Sequence, residues 1–351
     1  MAAVGGAATS DHAKMCAPPA MSKDVLRMRR STAVLAVAPL YCALLAPTSA
    51  EAAVGDPVRQ VRRLLSAQLT AKVVEAGGVQ LGSRTRSVNR MAQSFRYTFK
   101  RAGSIQLGRK GVVASDLDRR IRFEREDSAA LLKQDVANGD PTAKSLQIQT
   151  RVHRSVGVNG RLYTTGPLYQ PALPAGRTWA LRGAVANGGA FTDQVINIFE
   201  PRTLKTLLSD TYAKKFIKGA GYRDSTGREH KNVMLYKGKI TFADLYALSP
   251  TFRAIAGQKP EAALAPAFVW WWLWTDKDGM PTRFQSIWDT WVTGKPIQPP
   301  RAEGSALTEF LSWRRGTIRP PKSSLVARVE GPANDLPEFD DAMEAIRERD
   351  R

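Results

Sequence analysis

Strict alternation of apolar and polar residues constrains this chain more than any other feature. Phe95, Tyr97 and Phe99 alternate with Arg96, Thr98 and Lys100; Ile121 and Phe123 with Arg122 and Glu124; Leu146 and Ile148 with Gln147 and Gln149. A period of two belongs to half-buried antiparallel strands, apolar on one face and wet on the other. Asn159-Gly160 lies between two such runs, a strong hairpin signal. The strand Val233–Ile240 and the run Ala267–Thr275 extend the pattern, and the turn Asp276–Gly279 returns the chain to a strand ending near Val292. Helical spacing is confined to short stretches. Asp56-Pro57 opens a helix predicted to run to about Lys72, with the strands starting after Gly77-Gly78. Pro201 opens a second helix carrying Leu204, Leu207 and Leu208, and Thr241 a third carrying Leu245, Leu248, Phe252 and Ile255. The predicted fold class is therefore mainly β (α+β): a curved antiparallel half-barrel sheet, or a closed barrel, with a few helices covering one face.

The first 52 residues are of another kind. Met28-Arg29-Arg30 precede an apolar run from Ala33 to Ala46, followed by Ala50-Glu51-Ala52. A positive segment, a short apolar segment and an A-x-A site make a secretory signal peptide, so the product is expected to be extracytoplasmic, secreted or in the cell envelope. Bulky Tyr41 before Cys42 does not fit a lipidation site. The predicted organisation is a leader at 1–52, one ligand-binding domain at 53–300 and a C-terminal tail at 301–351.

Composition bears on chemistry at two points. Both cysteines, Cys16 and Cys42, lie in the leader, as does His12, which leaves His153 and His230. Thiol chemistry, disulfides and a His-rich metal site are therefore not expected, and no cofactor is implied. Gly103–Lys110 lacks the Lys-Ser/Thr ending of a phosphate-binding loop, and neither G-x-S-x-G nor H-E-x-x-H occurs. The expectation is a protein that is not an enzyme, with His153 a solvent-facing strand residue.

The second point is charge. The chain carries +20; the leader removes five bases and three acids, leaving +18. Residues 335–351 hold seven acids against three Arg, so the body from 53 to 334 carries +22. Such a body is expected to meet an anionic membrane surface or a cell-wall polymer. The leader and the scatter of the basic residues point away from nucleic acid.

The aromatic run Val269-Trp270-Trp271-Trp272-Leu273-Trp274 places Trp270, Trp272 and Trp274 on one strand face and Val269, Trp271 and Leu273 on the other. These rings either fill the core or border a hollow that the short helices leave uncovered.

Several stretches together resemble a known family. They are Leu162-Tyr163 with Leu173-Pro174-Ala175-Gly176-Arg177-Thr178-Trp179; Glu200-Pro201-Arg202-Thr203-Leu204; and His230 to Tyr236 followed by Lys237 to Leu245. To these add Trp274 to Arg283 and Gly294-Lys295-Pro296-Ile297 to Pro300. In this order, over about residues 57–300, they resemble the LppX/LprG-like secreted actinobacterial lipoproteins, related in fold to the periplasmic lipid carrier LolA. The resemblance implies a half-barrel with helices in its concavity and an apolar pocket that carries a lipid or lipidated molecule. The residues expected to line that pocket are Phe95, Tyr97, Phe99, Ile148, Tyr163, Trp270, Trp272 and Trp274 from strands, with Leu204, Leu208, Leu245, Leu248 and Phe252 from helices. The other reading is an envelope sensor or scaffold on the same fold, with a filled core and a protein or anionic polymer as partner.

Overall fold

A computed structural model describes residues 55–82, 94–123, 133–134, 136–139, 147–262, 264–290 and 302–329. The leader and the segment 294–300, which the resemblance implies is a closing strand, lie outside them. The described residues form a twelve-stranded, open, curved sheet of order β12-β6-β5-β4-β3-β2-β1-β11-β10-β9-β8-β7. The expected mainly β half-barrel is thus the observed architecture. The strands are β1 (Thr70–Gly82), β2 (Ser94–Gly108), β3 (Gly111–Phe123), β4 (His153–Val158), β5 (Arg161–Thr165) and β6 (Trp179–Ala184). They continue as β7 (Ala213–Arg223), β8 (Glu229–Thr241), β9 (Phe268–Thr275), β10 (Pro281–Asp289), β11 (Ala302–Arg314) and β12 (Val326–Arg328). Pairing is antiparallel except between β12 and β6.

Helix α1 (Pro57–Ala67) starts as its sequence dictates: Asp56 Oδ1 accepts the Val58 N–H at 2.9 Å and Pro57 occupies the first turn. It buries Val58, Val61, Leu64 and Leu65. It stops five residues short of Lys72, because Gln68 turns left-handed at φ 50° and caps Leu64 and Leu65. The strand then runs straight through Gly77-Gly78. A Cβ at Gly77 would sit 2.7 Å from the Phe99 ring, so this glycine makes room for an aromatic ring crossing the strand.

Helix α2 (Pro201–Ser209) buries Leu204 and Leu207. The helix expected from Thr241 is two, α3 (Phe242–Leu248) and α4 (Pro250–Ala256). Pro250 cannot donate to a helix running through it, and Ser249 caps the second piece through the Phe252 N–H at 3.1 Å. Residues 147–149, expected as part of a strand, form a helical turn.

The largest departure concerns residues 302–314. Expected as the start of a tail, they form β11, hydrogen-bonded to β1 on one side and β10 on the other. Its inner residues Ala306, Thr308 and Phe310 do alternate, but Ala306 is small and Thr308 polar while apolar Leu307 lies on the other face, so the strand does not announce itself by apolar period.

The main core lies between the inner face of the sheet and α1 to α4. Residues 190–199 form a second cover, with Val195, Ile196, Ile198 and Phe199 almost fully buried.

Candidate functional site

Alternation carries charged residues onto the inner face. Glu75 lies in phase with Val73 and Val79, Arg101 with Phe99 and Ile105, and Arg119 with Leu117 and Ile121. The register aligns them into one row across five strands: Thr308 opposite Glu75, Glu75 opposite Arg101, Arg101 opposite Arg119, and Arg119 opposite His153. All five are at most 8% exposed. Leaving such groups unpaired would cost several kcal/mol each, so their partners decide whether the row is tolerable.

The partners come from the cover at 189–194. Arg119 grips Asp193 through two hydrogen bonds of 3.1 and 3.2 Å. Arg101 reaches Glu75 at 3.2 Å, the Thr192 hydroxyl at 2.8 Å and the carbonyls of Ala190 and Gly189 at 3.3 Å. Thr308 donates to Glu75 at 2.8 Å. Gln194 donates to Thr308 and the Ala306 carbonyl and accepts from Ser286 at 2.5 Å. Burial pushes the Glu75 carboxyl above the usual range, against Arg101, which lowers it, and with nearby Asp193 adding to the rise.

His153 is buried, not solvent-facing as its basic neighbours suggested. Its Nε2 accepts the Leu168 N–H at 3.2 Å and its Nδ1 lies 2.8 Å from the Arg151 carbonyl, so Nδ1 carries the proton. Burial lowers its pKa, with the Arg151 carbonyl opposing and Arg119 assisting. Nε2 thus holds the loop after β5, and Nδ1 the residues just before β4.

At its Arg101–His153 end the row borders an open cleft of about 210 Å³. Leu162, Tyr169, Phe191 and Ile255 give it apolar walls, and Arg101, Arg119, Ser155, Thr164 and Thr192 a polar floor. The Thr164 hydroxyl is fully buried there without a hydrogen-bond partner. Helix α4 closes one side, pinned by Thr251, whose hydroxyl binds Glu200 at 2.6 Å and receives Asn187 and Asn197 at 2.8 and 2.9 Å.

The residues expected to line a pocket are only partly brought together. Leu204, Leu245 and Phe252 are buried in the main core, with Leu208 and Leu248 packed against it. Trp270, Trp272 and Trp274 are on the other face of β9, half-buried, while Val269, Trp271 and Leu273 point to the helices. Gly238 explains the choice of face: it lies opposite Trp271, and a Cβ there would come within 2.2 Å of the indole. Tyr97 and Phe99 pack with Val79, Ile121 and Ala306 in a separate cluster. Tyr163 packs with Ala114, Val156 and Val158 under Ile318 and Val326. Because Thr164 lines the cleft, its neighbour Tyr163 points away from it. Ile148 sits half-buried in the helical turn at 147–149. The Phe95 side chain lies outside the described residues.

Among the described residues little space is left between sheet and helices. The space bounded by Val73, Ile105, Leu117, Ile196, Phe199 and Phe310 measures about 20 Å³, room for about one water. Residues 190–199 fill the volume that three short helices would have left open. Among the described residues no cluster of His, Cys, Asp or Glu could hold a metal ion, and no helix is long and apolar enough to cross a membrane. No protein-family model matches the chain, and no curated protein matches it.

Proposed function

We propose that this chain is an extracytoplasmic, non-enzymatic lipid-binding carrier of the LppX/LprG kind, with its ligand held in the cleft beside α4 and not under α2 and α3. The observation that carries this reading is the cleft's double character. Leu162, Phe191 and Ile255 offer apolar contact, while Arg101, Arg119 and the unpartnered Thr164 hydroxyl offer polar contact at its base. An amphiphile satisfies both at once: methylenes gain by leaving water, and a polar or anionic head meets donors already held in place. The volume, about seven water volumes, suits a headgroup with the first methylenes of one chain.

The filled core favours a second reading, a sensor or scaffold whose partner is a protein or an anionic cell-wall polymer. Native mass spectrometry of the chain purified from a bacterial host that exports it separates the two. The carrier reading expects an amphiphile adduct that Ala254→Trp, filling the cleft from the exposed side of α4, removes. Protein that carries no adduct under gentle desolvation, and gains none after incubation with lipid extract, supports the scaffold.

A further inference from the structure

The β7–β8 hairpin lies at the far end of the sheet from the cleft. No residue of β7 is buried on either face. Residues 213–241 carry eight Lys and Arg against two acids, Asp224 and Glu229. Two of the large apolar side chains most exposed among the described residues sit at its start, Tyr212 at 60% and Phe216 at 43%. Between and beside them stand Lys214, Lys215 and Lys218, all exposed. On β8 and β9, Lys239 lies 4.5 Å over the Phe268 ring.

A bare edge strand is a liability in water, and lysines are the usual defence against pairing with a second copy. A net charge of +6 on one hairpin repels a second copy of itself. Lysines alone would serve that defence, and exposed Tyr and Phe among them do not. Aromatic rings between long cationic side chains fit one environment well: the headgroup layer of an anionic bilayer. There rings sit at the apolar boundary, and lysines reach anionic phosphates.

We infer that the β7–β8 hairpin is the membrane-docking edge of this protein and that its partner is an anionic lipid surface. Ring insertion would be shallow and charge would supply most of the attraction, so binding is reversible and salt-sensitive. The surface stands apart from the cleft, so this inference does not rest on what the cleft holds.

Vesicle co-sedimentation of the purified full chain tests it, with equimolar phosphatidylglycerol and phosphatidylcholine against phosphatidylcholine alone. The wild type is expected to bind the anionic vesicles, to lose that binding on raising salt from about 0.1 M to 1 M, and to bind neutral vesicles at least about tenfold more weakly. Lys214→Gln/Lys215→Gln/Lys218→Gln should weaken anionic binding by about tenfold or more. Tyr212→Ser/Phe216→Ser should weaken it while leaving the salt dependence intact. The control Arg109→Gln/Lys110→Gln/Arg161→Gln removes the same charge from exposed positions away from the hairpin and should change binding less than about twofold. All these positions are exposed, so circular dichroism should show every variant folded. Equal binding to both vesicle types, or equal loss in the control and the lysine variant, overturns the inference. So does tighter binding of a single-stranded oligonucleotide than of anionic vesicles at the same salt, which would make the edge a nucleic-acid surface.

Discussion

Two residues show how neighbours decide what a side chain does here. Asp224 is nearly buried at the tip of the β7–β8 hairpin. Burial pushes its carboxyl up, but the Thr226 hydroxyl at 2.6 Å, His230 at 2.9 Å and the N–H groups of Thr226 and Arg228 outweigh it and hold the pKa at about 2. A folded-state pKa below the unfolded value means that the unfolded chain binds more protons in the acid range. The contribution of Asp224 is therefore fully present above pH 4 and is lost as pH falls through about 2. Urea unfolding of wild type and Asp224→Asn should show the wild type more stable at pH 5, with the gap closing towards pH 2; a gap independent of pH would contradict this. Trp271 and Trp272 are adjacent yet should behave differently. Trp271 is 1% exposed in the main core, so Trp271→Ala should cost about 3–5 kcal/mol. Trp272, half-buried on the other face, should cost clearly less on the same replacement. Equal losses in urea unfolding would reverse the assignment of faces.

At the scale of elements, β2, β3, β8 and β9 were legible because local alternation specifies them, and the hairpin at Asn159-Gly160 because both residues adopt positive φ, 54° and 70°. The opening prolines of α1 and α2, and the Asp56 cap of α1, were legible for a similar local reason. What local pattern could not supply was pairing. Val-Trp-Trp-Trp-Leu-Trp is apolar on both faces, so only Gly238 across the strand settles which indole turns inward. The charged row was present in the alternation, since Glu75, Arg101 and Arg119 hold inward phase, but nothing local said that Asp193 and Thr192 would come to meet them. β11 was hidden because its inner face carries small Ala306 and polar Thr308, with apolar Leu307 on the other face. Its central place makes a sharp prediction: a chain ending at Thr290 loses the strand that joins β1 to β10, and should show neither a cooperative thermal transition nor resistance to brief proteolysis. A truncated chain that melts cooperatively would show that β11 is dispensable.

Across the whole molecule, two surfaces of different chemistry stand at opposite ends of one sheet. The β3–β6 end, with α4 and the clamped loop at 189–194, holds the cleft; the β7–β8 end carries exposed lysines and rings. Among the described residues the core between them is filled by residues 190–199, which leave about 20 Å³ beside Phe199 and Phe310. The central claim is that an amphiphile enters beside α4. Titration with lysophosphatidylglycerol below its micelle concentration, read by calorimetry, tests it on wild type, Ala254→Trp and Leu248→Trp. Leu248→Trp crowds the edge of the main core and should cost about 1–3 kcal/mol of stability without changing affinity. Saturable one-to-one binding is expected for wild type and Leu248→Trp, weakened about tenfold or more in Ala254→Trp. Unchanged binding in Ala254→Trp with loss in Leu248→Trp would place the lipid under the helices instead and contradict it.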